Sequence, residues 1–322
     1  MRPIIPALIC LILVSASALA ANEAPYNSAT ISGLGARNIG SAAMSGRISA
    51  IAGVKEPSGK ITLFVGAASG GIWKSDDGGT RFRPVFDEQP AQSIGAIAID
   101  PKNSKNIWVG TGESWTRNSV SIGDGIYKSS DAGETWTNAG LPKSERIAEI
   151  VVSPKNSDTV FASVPGALWS DSADRGLYRT TDGGKNWELA LKGSNSSTGC
   201  STVVIDPKDP NVMFAALWDF RRKGWTFRSG GDGPNAPSGS GLFRSNDGGN
   251  TWNEITPENS KGFLKSLMAV SRSRSHHRTR NAFMLLLNQP TARSSFLTMA
   301  VAPGISATKV SGWFGDRFTS PV

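Results

Sequence analysis

Histidine is nearly missing from this chain, with 2 among 322 residues, adjacent at His276 and His277. Elsewhere no serine–histidine–acid relay can be assembled. Cysteine is as scarce: Cys10 and Cys200 are the whole supply. Cys10 lies inside an apolar leader, so Cys200 remains as a single thiol and no intrachain disulfide is expected. Long hydrophobic runs are absent too. The longest, Ile4–Val14, is too short to span a bilayer. No convincing amphipathic helical period, phosphate-binding glycine loop or zinc-ligand spacing occurs, so neither a cofactor nor a metal is expected.

The formal net charge of +8 invites a nucleic-acid reading, but it is unevenly spread. From Leu267 onward seven Lys/Arg stand against one acid. The remainder, apart from Arg2, is close to neutral, so a nucleic-acid partner is not expected. Arg2, the apolar run and Ala18-Leu19-Ala20 read as a secretory signal cleaved after Ala20. That predicts a secreted or periplasmic bacterial product with no membrane attachment after cleavage. Residues 21–37 read as a linker.

What the chain does have is one eight-residue motif in four copies, hereafter the box. The copies are Ser75–Phe82, Ser129–Trp136, Thr180–Trp187 and Ser245–Trp252. Their third residues, Asp77, Asp131, Asp182 and Asp247, are separated by 54, 51 and 65 positions. A repeat of this length is one supersecondary unit that cannot bury its own apolar face. In three of the units an apolar strand (Ile94–Ile99, Ile147–Val152, Thr202–Ile205) is followed by a proline turn. A second strand follows (Ile107–Gly110, Val160–Ser163, Val212–Ala216), then a short aromatic one (Gly125–Lys128, Gly176–Arg179, Gly241–Arg244), then the box. Residues 46–86 follow the plan less strictly. The chain is therefore read as all-β, an incomplete β-propeller of four-stranded antiparallel blades over residues 38–265.

Each box residue has a mechanical role in this reading. The Asp carboxylate accepts backbone N–H groups across the turn. Gly79, Gly133, Gly184 and Gly249 supply positive φ. Trp136, Trp187 and Trp252 pack the turn back onto its blade. An acid repeated in every unit belongs to the scaffold, because a site needs few copies.

The box resembles the Asp box of sialidases, xyloglucanase-type glycoside hydrolases and sortilin. Asn38-Ile39-Gly40, Ser45–Ile48 and Gly110–Asp131 are similar to large secreted bacterial propellers with sortilin-like Asp-box repeats. The resemblance implies a propeller; for activity it points to proteins of mixed function. In xyloglucanase-like enzymes a catalytic Asp precedes the Gly-Gly-aromatic strand of an early blade. Here Gly66–Trp73 carries Ala68 at that place, which argues against hydrolysis. No catalytic residue can be named.

Two stretches are candidate binding sites. Glu113, Arg117, Asn118 and Asp124 occupy the long connection between Val109 and Ile126. Two acids with an arginine suit a sugar or a peptide terminus. The insertion Arg221–Ser240, beside Trp218 and Phe220 and containing Trp225 and Phe227, lengthens the third step to 65 positions; it is a candidate ligand-facing loop, though packing of these aromatics in the core or rim is the commoner outcome. A peptide- or glycan-binding module is the leading reading; a glycoside hydrolase fragment and a non-functional pseudogene product are the alternatives.

After Ser266 the blade grammar stops. Read one base off, codons that encode residues 297–309 also permit SDDGGRTWDKRDKS, a complete box on schedule after Asp247. Residues 266–322 are therefore read as a frameshifted, disordered tail. Sequencing the coding DNA across codon 266 tests this; a single intact frame in several isolates overturns it.

Overall fold

A computed structural model describes residues 47–259, apart from 207, 233–235 and 257. The expected signal, linker and frameshifted tail lie outside the described residues. Blade 1 comprises β1 (Ile48–Lys55), β2 (Ile61–Ala67), β3 (Ile72–Ser75) and β4 (Arg83–Pro84). Blade 2 comprises β5 (Ile94–Asp100), β6 (Asn103–Thr111), β7 (Ile126–Ser129) and β8 (Thr137–Asn138). Blade 3 comprises β9 (Glu149–Val152), β10 (Val160–Val164), β11 (Gly176–Thr180) and β12 (Glu188–Leu191). Blade 4 comprises β13 (Thr198–Ile205), β14 (Met213–Lys223), β16 (Gly241–Ser245) and β17 (Asn253–Glu254), with β15 (Thr226–Ser229) paired to the far end of β14. Each blade is an antiparallel meander in chain order, and no helix occurs among the described residues. The fold is all-β, built as propeller blades.

Strand alternation decides which residues bind one blade to the next. In blade 2 the row Ile97–Val109–Tyr127 faces blade 1, where it meets Phe64, Ile72 and Phe86. In blade 3 the row Ile150–Ala162–Tyr178 meets Ala96, Trp108 and Ile126 of blade 2. In blade 4, Val203, Ala215 and Phe243 meet Phe161 and Leu177 of blade 3. Three cores thus lie between sheets, and no sheet has a core of its own. The corresponding row of blade 1, headed by Ile51, faces away from blade 2. Ile51 is 65% exposed and Ile61 46%.

The box is both a turn and an inter-blade clasp. In all four copies the leading hydroxyl donates to the Asp (Ser75 to Asp77, 2.8 Å; Ser129 to Asp131, 2.7 Å; Thr180 to Asp182, 2.8 Å; Ser245 to Asp247, 2.7 Å). The same hydroxyl accepts the box glycine N–H at 2.8–3.0 Å. The Asp also accepts backbone N–H groups from the residues that follow it. Thr135, Asn186 and Thr251 add side-chain donors to the second carboxylate oxygen. In the first box Arg81 stands at that position and donates its backbone N–H to Asp77 Oδ1 at 2.9 Å.

The box glycines then rest against aromatic rings of the preceding blade. A Cβ on Gly133, Gly184 or Gly249 would lie 2.9, 2.8 or 2.6 Å from Phe64, Trp108 or Phe161. The box tryptophans correct the sequence reading, because they staple backward onto the previous blade. Trp136 Nε1 donates to Val85 O and Trp187 Nε1 to Ala139 O, both at 2.7 Å. Trp252 instead donates within its own box, to Gly249 O at 3.2 Å. A cation on the third strand of blades 1, 2 and 3 completes the clasp. Lys74 reaches Glu134 (3.0 Å), Lys128 reaches Gly183 O (3.2 Å) and Arg179 reaches Asn250 (2.6 Å).

Candidate functional site

The boxes stand between strands three and four, at one end of every blade. At the opposite end run the connections between strands two and three, and these differ from blade to blade. In blade 1 the connection is short, closed by Ala67 N donating to Gly71 O. In blade 2 it spans residues 112–125, in blade 3 residues 165–175, and in blade 4 it carries the β14–β15 hairpin.

The long connections are tied together. Arg222 N donates to Leu168 O in blade 3 at 3.0 Å, and Arg222 Nε donates to Thr116 O in blade 2 at 2.8 Å. Arg221 pairs with Asp171. The hairpin of blade 4 therefore lies over the loops of blades 2 and 3. The insertion expected as a loop is partly ordered strand: β14 continues to Lys223 and pairs with β15. Trp218, Phe220 and Phe227 form its own packing cluster, with centroids 4.6–6.4 Å apart. Trp225 sits at the hairpin turn and is 89% exposed.

The four ligand candidates do not converge on one point. Glu113 is 1% exposed and held by a bidentate pairing with Arg47, its Nε donor at 2.6 Å. Asp124 accepts from Thr111 Oγ1 (3.2 Å) and the Tyr127 hydroxyl (2.7 Å). Burial, and then the Asp124 carboxylate, pushes the Tyr127 phenol up to about 12. Both acids are engaged inside the scaffold. Arg117 and Asn118 are exposed, with the Arg117 guanidinium 5.4 Å from the Trp115 ring centroid.

This end also presents aromatic rings to solvent. Trp115 is 42% exposed, Trp169 47% and Trp225 89%, one on each of the three linked connections. Reading the loops by charge missed Trp115 and Trp169. Their signal was available: both fall outside the box position and outside the strands that account for most other tryptophans.

Below this rim lies a layer of buried ions. Asp219 is fully buried and accepts from Ser197 Oγ (2.7 Å), Asn195 Nδ2 (2.9 Å) and Gly239 N (3.1 Å), with Arg228 at 3.2 Å. Arg175, 2% exposed, donates to the carbonyls of Pro165, Ala167, Ser170 and Ser197. Burial, then the neighbouring Arg146 charge, pulls its guanidinium down to about 10. These groups hold the connections by satisfying their carbonyls. Among the described residues no group of three or more acids, histidines or cysteines is placed to hold a metal.

Known proteins resemble this chain over its middle. Residues 70–219 match the family described as Sortilin, neurotensin receptor 3. A probable oligoxyloglucan-reducing end-specific xyloglucanase of Neosartorya fischeri is 31% identical over 140 residues, covering 39% of this chain and 15% of that protein. An oligoxyloglucan-reducing end-specific xyloglucanase of Emericella nidulans is 26% identical over 238 residues, covering 62% of this chain and 27% of that protein. An ancestral GH74 enzyme of known structure is 20% identical with a TM-score of 0.48, covering 68% of this chain and 26% of that one. The chain thus spans about a quarter or less of the length of these xyloglucanase relatives.

Proposed function

We propose, for a chain that is a β-propeller of the sortilin-like and xyloglucanase-like superfamily, that its end opposite the boxes binds polysaccharide. The observation that carries this reading is the set of three exposed tryptophans on three connections joined through Arg222. An indole face is a flat apolar surface with a polar edge. The C–H face of a sugar ring packs on such a surface while its hydroxyls bond to the loops around it. Clustered exposed aromatics on loops over a rigid scaffold mark an interaction surface. Similarity to xyloglucanases supports a β-glucan as the class of ligand. A peptide is the other ligand this surface could hold.

The test is retardation of the full chain in a gel containing soluble xyloglucan, against a gel without it. Trp225→Ala is expected to reduce retardation with no change in the thermal melt. Equal mobility of the native chain in both gels overturns the reading, and saturable binding to a peptide library instead assigns the surface to peptide.

Hydrolysis is the second reading, favoured by what the relatives are. Two free carboxyl groups flanking the bond are usually required. Ala68 is apolar and buried, while Glu113, Asp124 and Asp219 are each tied by the hydrogen bonds given above. Binding without turnover therefore fits the described residues better. Release of reducing sugar from xyloglucan, abolished by changing one acid, would establish hydrolysis.

A further inference from the structure

Three devices join successive blades, each with a forward half on one blade and a backward half on the next. In the first, a ring on the second strand (Phe64, Trp108, Phe161) lies against the box glycine of the blade that follows. In the second, a third-strand cation opposite that ring in register bonds to the next box: Lys74 to Glu134, Lys128 to Gly183 O, Arg179 to Asn250. In the third, a lysine in the turn between strands one and two reaches the same turn of the next blade. Lys102 Nζ donates to Lys155 O at 2.6 Å, and Lys155 Nζ to Asn211 at 3.2 Å.

Blade 4 carries all three forward halves. Phe214 stands opposite Arg244 in register, and the guanidinium lies over its ring at 5.8 Å, as Lys74 lies over Phe64 at 5.8 Å. Phe214 is 9% exposed and belongs to none of the three inter-blade cores. Arg244 and the turn lysine Lys208 are exposed, and among the described residues neither bonds to another blade. Blade 1 carries all three backward halves. By register its row Ile51–Val65–Trp73 is the counterpart of Ile97–Val109–Tyr127 and Ile150–Ala162–Tyr178. Val109 and Ala162 are fully buried, whereas Val65 and Trp73 are half-buried and Ile51 is exposed. A Cβ on Gly79 would meet only Leu63 and Phe82 of its own blade. Phe82, at the place where Trp136 and Trp187 staple backward, is 41% exposed. Gly78 and Thr80 match the cation acceptors Gly183 and Asn250, and the turn at residues 57–60 is exposed. A contiguous apolar row open to solvent marks an interaction surface.

We infer that blade 1 of one copy docks on blade 4 of a second copy, through the interface that the chain already builds three times within itself. Phe214 then meets Gly79, Arg244 meets the box at Gly78 and Thr80, and Lys208 meets the β1–β2 turn. The contact is heterologous, with different surfaces on its two sides, so repetition closes a ring or runs on as a filament. Two copies of four blades supply eight, within the range over which propellers close. Closure covers the apolar row of blade 1 in both copies.

Sedimentation velocity of the full chain over a dilution series tests this. A species of twice the monomer mass is expected. Ile51→Glu sets a charge in the apolar contact and should raise the dissociation constant at least about tenfold. Arg244→Glu, on the other half, should weaken pairing by about the same factor. Both residues are exposed, so the circular dichroism spectra of the variants should match that of the native chain. A mixture of the two variants keeps one unaltered blade 1 and one unaltered blade 4, and is expected to regain the pair. Two blade 1 faces packed on each other would not give that recovery. Assemblies larger than two that both variants disperse support the same contact in its unclosed form. Monomer at every concentration, pairing indifferent to Arg244→Glu, no recovery in the mixture, or aggregates that neither variant disperses overturn the inference.

Discussion

The two ends of each blade obey different rules. At the box end four copies repeat one hydrogen-bond pattern, hydroxyl to Asp and Asp to backbone, almost atom for atom. At the opposite end the connections share neither length nor composition, and their bonds run between blades that are distant in sequence, as from Arg222 to Thr116. Repetition marks what every blade needs in order to stack. Departure from repetition marks what this molecule does in particular. The same contrast separates tryptophans: Trp136 and Trp187 are staples, whereas Trp115, Trp169 and Trp225 are exposed.

The largest effect that would break this comparison comes from a staple. Trp187→Ala empties space between blades 2 and 3 and removes the bond to Ala139 O. It is expected to lower unfolding free energy by about 3 kcal/mol, read by urea denaturation. Gly184→Ala comes next. Its φ of +93° and a Cβ 2.8 Å from the Trp108 ring predict a loss of about 2 kcal/mol. A loss as small as that from Gly224→Ala, at the hairpin turn where a Cβ meets nothing, would show that the box glycine is not a clasp.

The second box contains a natural weakness. Ala132 holds φ of +63° where the other boxes place Gly78, Gly183 and Gly248. Ala132→Gly is expected to stabilise the chain by about 1 kcal/mol, a rise of about 2–4 °C in Tm by calorimetry.

The box acids give the comparison a pH axis. The Thr135 hydroxyl, and then the Thr135 N–H, hold Asp131 down to about 2 from 3.8. Similar donors lower Asp77 and Asp182, and hold Asp247 down to about 2. A depressed folded value means that the contribution is complete above about pH 4 and is lost as pH falls through about 2. Thermal melts across that window should steepen in the native chain and flatten in part for Asp131→Asn. An identical pH profile in that variant would deny the acid its role. The smallest effect on stability is expected from Trp225→Ala, within about 0.5 kcal/mol of the native chain.

Much of the box end was legible in the chain because it is periodic. Four spaced Asp residues predict four turns, and near-continuous apolar strands predict sheets with two buried faces. Where the tryptophans point was not legible: position eight of the box does not say whether an indole folds onto its own blade or the one before. That depends on how neighbouring sheets are set side by side. The opposite end was harder for a related reason. Glu113 and Asp124 look like ligands when the loop is read alone, yet Arg47 and Tyr127, brought in by the fold, occupy them. The hairpin hidden in the insertion became visible only through its pairing, since Arg221–Lys223 and Thr226–Ser229 carry too little alternation to announce strands.

The central claim is that the unrepeated end binds and the repeated end only holds. Retardation by xyloglucan of the chain with Trp115, Trp169 and Trp225 all changed to Ala tests it most directly. The account predicts mobility equal to that in a glucan-free gel, with a circular dichroism spectrum like that of the native chain. Undiminished retardation of that triple variant would contradict it.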